Sequence, residues 1–598
     1  MRLRRMANRD TLWLNLALGV CIAYGLALIA NTQSAADGGW LFYATFLDQG
    51  RRLYADMHLA LQPLFVLETA AFLKLLGPSW LASKAPAVLH LAAYCIGLRM
   101  LAGRARLTDG QRAILLGCVF IVSICFEAYR FDDYHVLADC FEVYSLVVLL
   151  DLSRAGIGRS RGLVAALGVF SGLSLTTRMN DGAALFVAVA IAIVCLVPAQ
   201  RIVSLLLFAV TAGLTGWLTV RLTGDSLHDY ATYSIFHAAA SKGGTGSVLA
   251  YPLLLPLNTL RWLKHGHLYD KAILYTFAVG VCWVFLLRPL ASRRGPRDWI
   301  KAALGLAIVV VPMHRMHWAF KDITVVMSLS AVVVLVGYGL GLWVIARLLR
   351  WPFAPAEQPW DRREILLLIP LGQLASSSMS SAGVHMGLYG PVAMIAMVLA
   401  IASPIPLNEQ WTSCLLTVAT LTLCSGVYYR TMQPFAWHSY VEPPMFEDRQ
   451  WYRHPVYGPM VIDRQLLHFI QPVCDEVGWS GPQRELLSLP FSYSNYFCSV
   501  QPWHGYVQTF FDTSTKETID GLMGELQTSP PMWIFYQRQL DNLAMHEQTY
   551  NHGAPLPHRY LDQLIEQKIA SGEWREVYTS TFEDRPHWST EWILIRTR

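Results

Sequence analysis

Long apolar segments recur through the first 430 residues, and they constrain the fold more than any other feature of the sequence. About thirteen of them are long enough to cross or nearly cross a bilayer, which takes about 20 residues in a helix. They lie roughly at 11–31, 82–103, 112–128, 136–152, 162–177, 183–199, 202–221, 271–288, 299–313, 323–346, 364–375, 386–403 and 411–429. Charged residues make up only 15% of the chain, against roughly 25% in soluble domains. Since a soluble chain of 598 residues would need charge to cover several domains, the sequence predicts an all-α polytopic membrane domain.

Connections rich in Lys and Arg alternate along the chain with connections that contain few of them, and this alternation predicts the topology. With the N-terminus in the cytoplasm, the short inner connections carry most of the basic residues, and the longer outer connections carry fewer. An odd number of spans then places the C-terminus outside. The first segment follows the basic stretch MRLRRMANR, and its apolar run of about 20 residues is too long for a signal peptide, which indicates a retained anchor. The net charge of +5 reflects this loop bias and does not indicate a nucleic-acid partner.

Three outer regions are long: 32–81, 222–270 and the tail 431–598. The first contains an apolar stretch, 63–77, which is too short and polar to span and predicts an interfacial helix. The tail is polar, aromatic and rich in Pro, unlike the transmembrane domain over 1–430. Its patterns predict strands at 485–490, 532–537, 574–580 and 591–597 and helices at 461–478, 516–527 and 559–572. We therefore expect a C-terminal extracytoplasmic α/β domain.

Two local features of the tail are testable in a structure. Ser514 and Glu517 have the spacing of a capping box for the helix over 516–527. Cys474 and Cys498 could pair if the outer face is oxidising, or they could remain two separate buried thiols.

Carboxylates in the first outer loop are candidates for chemistry. Asp37 directly follows the first span between small residues, and Asp56 follows in LYADMH. A carboxylate held near the membrane surface suits a general base that takes a proton from a hydroxyl group. Alternatively, Asp37 caps a following amphipathic helix from Gly39 to Leu47.

Two further polar clusters lie at outer span ends. Asp132, Asp133 and His135 could hold a divalent cation or bind substrate, or they could form a solvated turn and the N-cap of the fourth span. Arg178 and Asp181, in TTRMNDG, could bind phosphate or sugar hydroxyls, or they could form a tight turn with an internal ion pair.

A basic cluster and a polar stretch follow later in the chain. His314 and Arg315, in MHRMHWAFKD, could hold a lipid phosphate or simply anchor the chain at the interface. The segment 376–390 is too polar for a bilayer-facing helix, so it could break a span and line a cavity. Together the clusters place carboxylates and cations on one face, which favours transfer chemistry at the outer interface over conduction.

Several common catalytic motifs do not occur in the sequence. It has no P-loop, no H-E-x-x-H and no C-x-x-C, and it has no D-x-D of the kind that binds metal and nucleotide sugars in cytosolic glycosyltransferases. We therefore expect no nucleotide cofactor. A divalent cation stays possible.

The first outer loop resembles that of the GT-C fold glycosyltransferases, which include the protein O-mannosyltransferases and the lipid A aminoarabinose transferases. The family pattern is roughly D-E-x-x-[FWY]-x-x-x-A, then G-x-x-[LPV]-Y-x-D, then Pro, an apolar helix and L-F-G. The matching residues are Asp37, Tyr43 or Ala44, Gly50, Tyr54, Asp56, Pro63 and LLG at 75–77. The match is best over residues 35–185. Gly38 stands where many members have a second acidic residue. The role of that acidic residue therefore falls to Asp56, to Asp132 or to no residue.

The resemblance implies a mechanism and a location. The donor is a sugar on a polyprenyl phosphate, and Asp37 is the base that activates an acceptor hydroxyl on a glycan, lipid or protein. That hydroxyl attacks the anomeric carbon with inversion, and the lipid phosphate leaves. The expected location is a bacterial inner membrane, with the C-terminal domain in the periplasm. Two other functions are considered: a transporter or flippase of a lipid-linked or polar solute, and a noncatalytic scaffold for envelope assembly. A transporter would need polar residues near the bilayer midplane.

Overall fold

The structure is a computed structural model. It describes residues 2–31, 35–104, 133–154, 157–197, 200–241, 368–378, 444–479, 485–489, 493–509, 514–538, 553–580 and 591–597, together with shorter pieces between these ranges. The predicted spans at 112–128, 271–288, 299–313 and 386–403 lie outside the described residues, as do most of those at 323–346 and 411–429.

The described part of the membrane domain is helical. Its helices are α1 (Arg2–Asn31), α2 (Ala35–Asp48), α3 (Pro63–Leu76), α4 (Trp80–Arg104), α5 (Tyr134–Leu152), α6 (Ile157–Leu175), α7 (Met179–Leu196), α8 (Arg201–Arg221), α9 (Leu227–Ala231) and α10 (Leu368–Ser378), and α9 continues as a π-helical segment, Thr232–His237, and a last turn, Ala238–Ser241. Outside the ranges 35–76 and 227–241, these helices overlap the predicted spans. Among these, α4, α7 and α8 are long and apolar enough to cross a membrane. The prediction of a membrane protein is supported, and the count of thirteen spans stays a prediction.

Small residues let α6 pack closely against α8. A Cβ atom on Gly168 would lie 2.7 Å from the carbonyl oxygen of Phe208, and one on Gly172 would lie 2.6 Å from that of Ala212. Without a hydrophobic driving force between helices in lipid, such close backbone contact is a main source of association. The glycines of α6 therefore fix the α6–α8 contact.

The first outer loop folds as two helices joined by a turn. The predicted helix is present as α3, which has Pro63 at its first position and ends before Gly77 at φ 71°. Its interfacial position stays a prediction. Proline is favourable there because its missing N–H is one that a helix start leaves unpaired. Helices α2 and α3 pack against each other.

The tail contains a five-stranded mixed sheet. The elements of the tail are β1 (Ala436–Trp437), β2 (Tyr440–Val441), β3 (Arg449–His454), β4 (Gly458–Asp463), α11 (Arg464–Val477), β5 (Glu485–Leu489), α12 (Tyr493–Cys498), β6 (Gln501–Pro502), α13 (Lys516–Thr528), β7 (Trp533–Gln537), α14 (His558–Ala570), β8 (Arg575–Ser580) and β9 (Trp592–Arg596). The strand order in the five-stranded sheet is β6-β5-β7-β9-β8, and β5 is parallel to β6 and β7. The predicted α/β character of the tail is confirmed.

Two boundaries in the tail differ from the prediction, each because of a cap. The helix expected from residue 461 begins at Arg464, because β4 continues to Asp463, whose carboxylate accepts the N–H of Gln465 at 2.9 Å. The predicted Ser514–Glu517 capping box is wrong. The cap of α13 is Thr515, which accepts the N–H of Thr518.

Cys474 of α11 and Cys498 of α12 form a disulfide, so the paired alternative is the correct one. The bond joins two helices that also pack against each other. Both sulfurs are buried in the tail core with Val473 and Phe497.

Candidate functional site

Asp37 lies in the first turn of α2, because this helix begins at Ala35. The alternative that Asp37 caps a helix from Gly39 is therefore wrong, since the helix starts two residues before the carboxylate. The role of Asp37 as the general base stays a prediction.

Asp56 forms hydrogen bonds within the turn that contains it. One carboxylate oxygen accepts the backbone N–H of Arg52 at 2.8 Å, and the other lies 3.0 Å from the guanidinium of the same residue. The pair is partly exposed. Asp56 therefore shapes the turn after α2, and its predicted role in substrate binding stays a prediction.

A buried carboxylate that the sequence analysis missed anchors this turn. Asp225, at the end of α8, accepts the backbone N–H groups of Leu53, Tyr54 and Ala55 at 3.0 to 3.2 Å, and it accepts the hydroxyl of Thr223 at 2.9 Å. Burial raises the pKa of Asp225, and these four donors oppose that rise. The turn is therefore held on the membrane bundle by a single side chain 170 residues away in sequence from Ala55.

A residue of the tail holds the same loop from the other side. Gln508 is buried, and its Oε1 accepts the N–H of Ala60 at 2.7 Å. Its backbone N–H donates to Met57, and its Nε2 donates to the hydroxyl of Tyr43 in α2. Helix α2 also packs against α12 of the tail. The first outer loop is thus enclosed between the bundle and the tail.

Asp133 is the N-cap of α5. Its carboxylate accepts the backbone N–H of His135 and lies 3.0 Å from that residue's Nδ1. Of the two alternatives for this cluster, the structure supports the cap. Asp132 lies outside the described residues.

Arg178 and Asp181 form a buried ion pair. The internal pair was part of one of the two alternatives, but Asn180, Asp181 and Gly182 do not form the expected tight turn, because α7 already begins at Met179. Gly182 follows in the helix, where a Cβ atom would lie 2.2 Å from the backbone nitrogen of Leu175. Only glycine permits this close contact between α7 and the end of α6.

The ion pair belongs to a larger polar cluster that the sequence analysis missed. The hydroxyl of Ser376 in α10 donates to Asp181, and Nε2 of Gln373 donates to Asp139 of α5 at 3.1 Å. Glu142, one turn further along α5, is 1% exposed. Asp139 and Glu142 lie inside a predicted apolar span. They place carboxylates within the bundle, where the sequence analysis expected none.

A second buried pair joins α3 to α4. Nδ1 of His90 lies 2.8 Å from the carbonyl oxygen of Phe131, and its Nε2 lies 2.8 Å from Oε2 of Glu68. Since a carbonyl oxygen only accepts, Nδ1 donates to Phe131. The His90 ring therefore links α4 to Phe131 and to Glu68 of α3.

A cavity of about 270 Å³ lies beside this pair. Its wall is apolar and aromatic apart from the Glu68–His90 pair, and it is lined by Glu68, Leu89, His90, Ala93, Leu137, Cys140, Phe141, Tyr144 and Phe170. Leu89 is 49% exposed on the outer side of α4, so the cavity opens toward the region that lipid would fill.

His314 and Arg315 lie outside the described residues, as does most of the polar segment 376–390. Within the part of the chain that the structure describes, no three His, Cys, Asp or Glu side chains come together in a way that would hold a metal ion. The predicted carboxylate–histidine clusters therefore do not converge on a common metal site there.

Comparison with known proteins gave matches only among solved structures. No protein-family model matches the chain, and no curated protein matches it. The chain is similar to ArnT from Cupriavidus metallidurans bound to undecaprenyl phosphate, with 10% identity, 98% of each chain covered and a TM-score of 0.39. The apo state of the same protein gives 11% identity, 98% of each chain covered and a TM-score of 0.40. At TM-scores this low, the likeness assigns neither residues nor an activity to this chain.

Proposed function

We propose that this chain is an integral membrane glycosyltransferase of the GT-C type. It moves a sugar from a polyprenyl-phosphate donor to an acceptor hydroxyl of the cell envelope, on the periplasmic face of the bacterial inner membrane. The observation that carries the proposal is the loop 36–77. Its motif resembles that of the GT-C enzymes, and the structure folds it into α2 and α3, with Asp37 in the first turn of α2.

The proposed mechanism assigns one step to Asp37. The acceptor hydroxyl loses its proton to the Asp37 carboxylate as its oxygen attacks the anomeric carbon. The bond from that carbon to the donor phosphate oxygen breaks, and the polyprenyl phosphate leaves with the bonding electrons. The configuration at the anomeric carbon inverts.

The surroundings of the loop suit such a site. Asp225 and Gln508 hold the loop from opposite sides, and a fixed loop keeps a catalytic base in position without cost at the moment of reaction. The apolar cavity beside Glu68 and His90 suits a hydrocarbon chain, which a lipid-linked donor would bring.

The contact between loop and tail also supports the proposed topology. Because Gln508 bonds to Met57 and Ala60, the tail and the first outer loop lie on the same side of the membrane. An even number of membrane crossings then separates the loop from the tail. With the crossing by α1 added, the chain crosses the membrane an odd number of times. This agrees with an N-terminus in the cytoplasm and a tail in the periplasm.

The test is transfer of radiolabelled sugar from a panel of polyprenyl-phosphate sugars, with envelope extract as the acceptor source. We expect transfer by the wild type and a loss of roughly 100-fold or more in Asp37→Asn. Asp48→Asn is the matched control, because Asp48 ends the same helix and its partner Lys74 lies on the surface. The control should keep the wild-type rate.

Two results would overturn parts of the proposal. Full activity of a folded Asp37→Asn variant would exclude this residue as the base. No transfer by folded wild type from any donor, with extract present, would exclude the transferase and favour the transporter alternative, which the buried carboxylates Asp139 and Glu142 would then support.

A further inference from the structure

We propose that α5, α6, α7 and α10 enclose a binding site for a monovalent cation, with Glu142 as its charged ligand. The proposal is independent of the transferase activity.

Glu142 is buried without a complete set of partners. Its side chain is 1% exposed, and Oε2 accepts no hydrogen bond from the residues that the structure describes. It lies about 12 Å along α5 from Tyr134, beyond the reach of water at the helix end. A buried carboxylate oxygen without a donor is costly, so a compensating group is expected there.

The described charges around Glu142 do not supply that group. Among the residues that the structure describes, the charges that act on it are those of Asp139, Asp181 and Arg178. The guanidinium of Arg178 pairs with Asp181, while Nε2 of Gln373 donates to Asp139. In this described set three carboxylates share one cationic side chain, and the local excess of negative charge attracts a cation.

Buried neutral oxygens without a hydrogen-bond partner among the described residues occur on the same helices. Ser145 follows Glu142 on one face of α5, and its buried Oγ has no partner among the described residues. The same holds for Oε1 of Gln373 and for the hydroxyls of Ser171 and Ser174 on α6. Hydroxyl, amide and carboxylate oxygens are the ligands that hard cations prefer.

The donor set favours a monovalent cation over a divalent one. No three acidic or metal-binding side chains in the described residues converge as a divalent ion would require. One carboxylate with several neutral oxygens neutralises a single positive charge, which is how membrane proteins coordinate Na⁺ at helix interfaces. We therefore choose Na⁺ as the first probe.

The first experiment measures thermal unfolding of the purified full chain in detergent. NaCl replaces choline chloride at constant ionic strength, so that only the identity of the cation changes. We expect the unfolding midpoint to rise with the logarithm of the Na⁺ concentration above the dissociation constant, by about 1 °C at ten times that constant. The rise should be absent in Glu142→Gln and present in Glu525→Gln, which changes an exposed glutamate on α13.

A second variant keeps the test decisive if Glu142→Gln does not fold. Ser145→Ala removes one neutral oxygen and leaves the charge unchanged. We expect it to raise the half-saturating Na⁺ concentration several-fold. An unchanged Na⁺ response in Ser145→Ala and Glu142→Gln would overturn the site.

The second experiment distinguishes a cation from a proton. Dicyclohexylcarbodiimide modifies protonated carboxyl groups in apolar surroundings, and mass spectrometry locates the label. We expect Glu142 to be labelled in choline and protected by Na⁺ in proportion to the midpoint shift. Labelling of Glu142 that Na⁺ does not change, with a midpoint that depends on pH alone, would assign the site to a proton and refute the cation.

Discussion

His454 should make the tail sensitive to mild acid, because its ring is built into the fold as the neutral form. It ends β3 and is 1% exposed. Its Nδ1 accepts the backbone N–H groups of Val456 and Tyr457 at 3.1 and 3.0 Å, and its Nε2 donates to the carbonyl oxygen of Phe497 at 2.7 Å. A second proton would have to enter at Nδ1, against two donors. Burial accordingly lowers the pKa of His454 to about 4.

The size and sign of the effect follow from linkage. The folded pKa of about 4 lies below the ordinary histidine pKa of 6.5, so the unfolded chain binds the proton more tightly. The stability contributed by neutral His454 is complete above the unfolded pKa, and it is lost as the pH falls from 6.5 toward 4. Between pH 7.5 and pH 5 the loss is about 2 kcal/mol.

The assay is hydrogen exchange of the full chain in detergent, corrected for the intrinsic pH dependence of exchange, on peptides that cover β3 and β4. The opening free energy of the wild type should fall by about 2 kcal/mol from pH 7.5 to pH 5. His454→Gln keeps an acceptor and a donor but does not titrate, so most of this loss should disappear. His468→Gln changes an exposed histidine of α11 and should behave as the wild type. Equal losses in wild type and His454→Gln would refute the reasoning.

Two further predictions concern other single features. Asp225→Ala leaves three backbone N–H groups without their acceptor, so the turn at 51–57 should lose about 3 kcal/mol of opening free energy; unchanged exchange protection of this turn would contradict the anchoring role. Cys474→Ser removes a bond between residues 24 apart, which should destabilise the tail by about 3 kcal/mol in denaturant unfolding. Reduction of the wild type should then match the variant, and equal stability of oxidised and reduced protein would argue against this contribution.

Local patterns predicted much of the fold. Strands β5, β7, β8 and β9 lie within one residue of the segments predicted as strands, and α3 follows its Pro and apolar run. These elements depend on their own apolar residues and on the turn residues beside them. The errors were the start of the helix at Arg464 and the identity of the cap at Thr515, and both lie at helix starts, where neighbouring polar residues compete to form the cap.

The site was less predictable, because its contacts join distant parts of the chain. Asp225 was unremarkable in sequence, and its role depends on N–H groups some 170 residues earlier. Asp139 and Glu142 are two of the three acidic residues in the apolar segment 136–152, and only the packing of α7 and α10 beside them shows the polar cluster that they form. The role of Asp133 could be predicted from the sequence, because an N-cap depends on residues that are neighbours in the chain.

The bond from Ala60 to Gln508 also sets an order of events during biosynthesis, because it spans 448 residues. At roughly 5–20 residues per second, the ribosome delivers Gln508 roughly 20 to 90 s after the loop has emerged. Throughout that interval the loop lacks the partner that covers Met57 and Ala60, residues that are buried in the finished protein. The outer loop of the nascent protein would therefore be held by Asp225 on the bundle side, without its tail contacts, until Gln508 has crossed the membrane. Any chain that stops early would be inserted but never assembled.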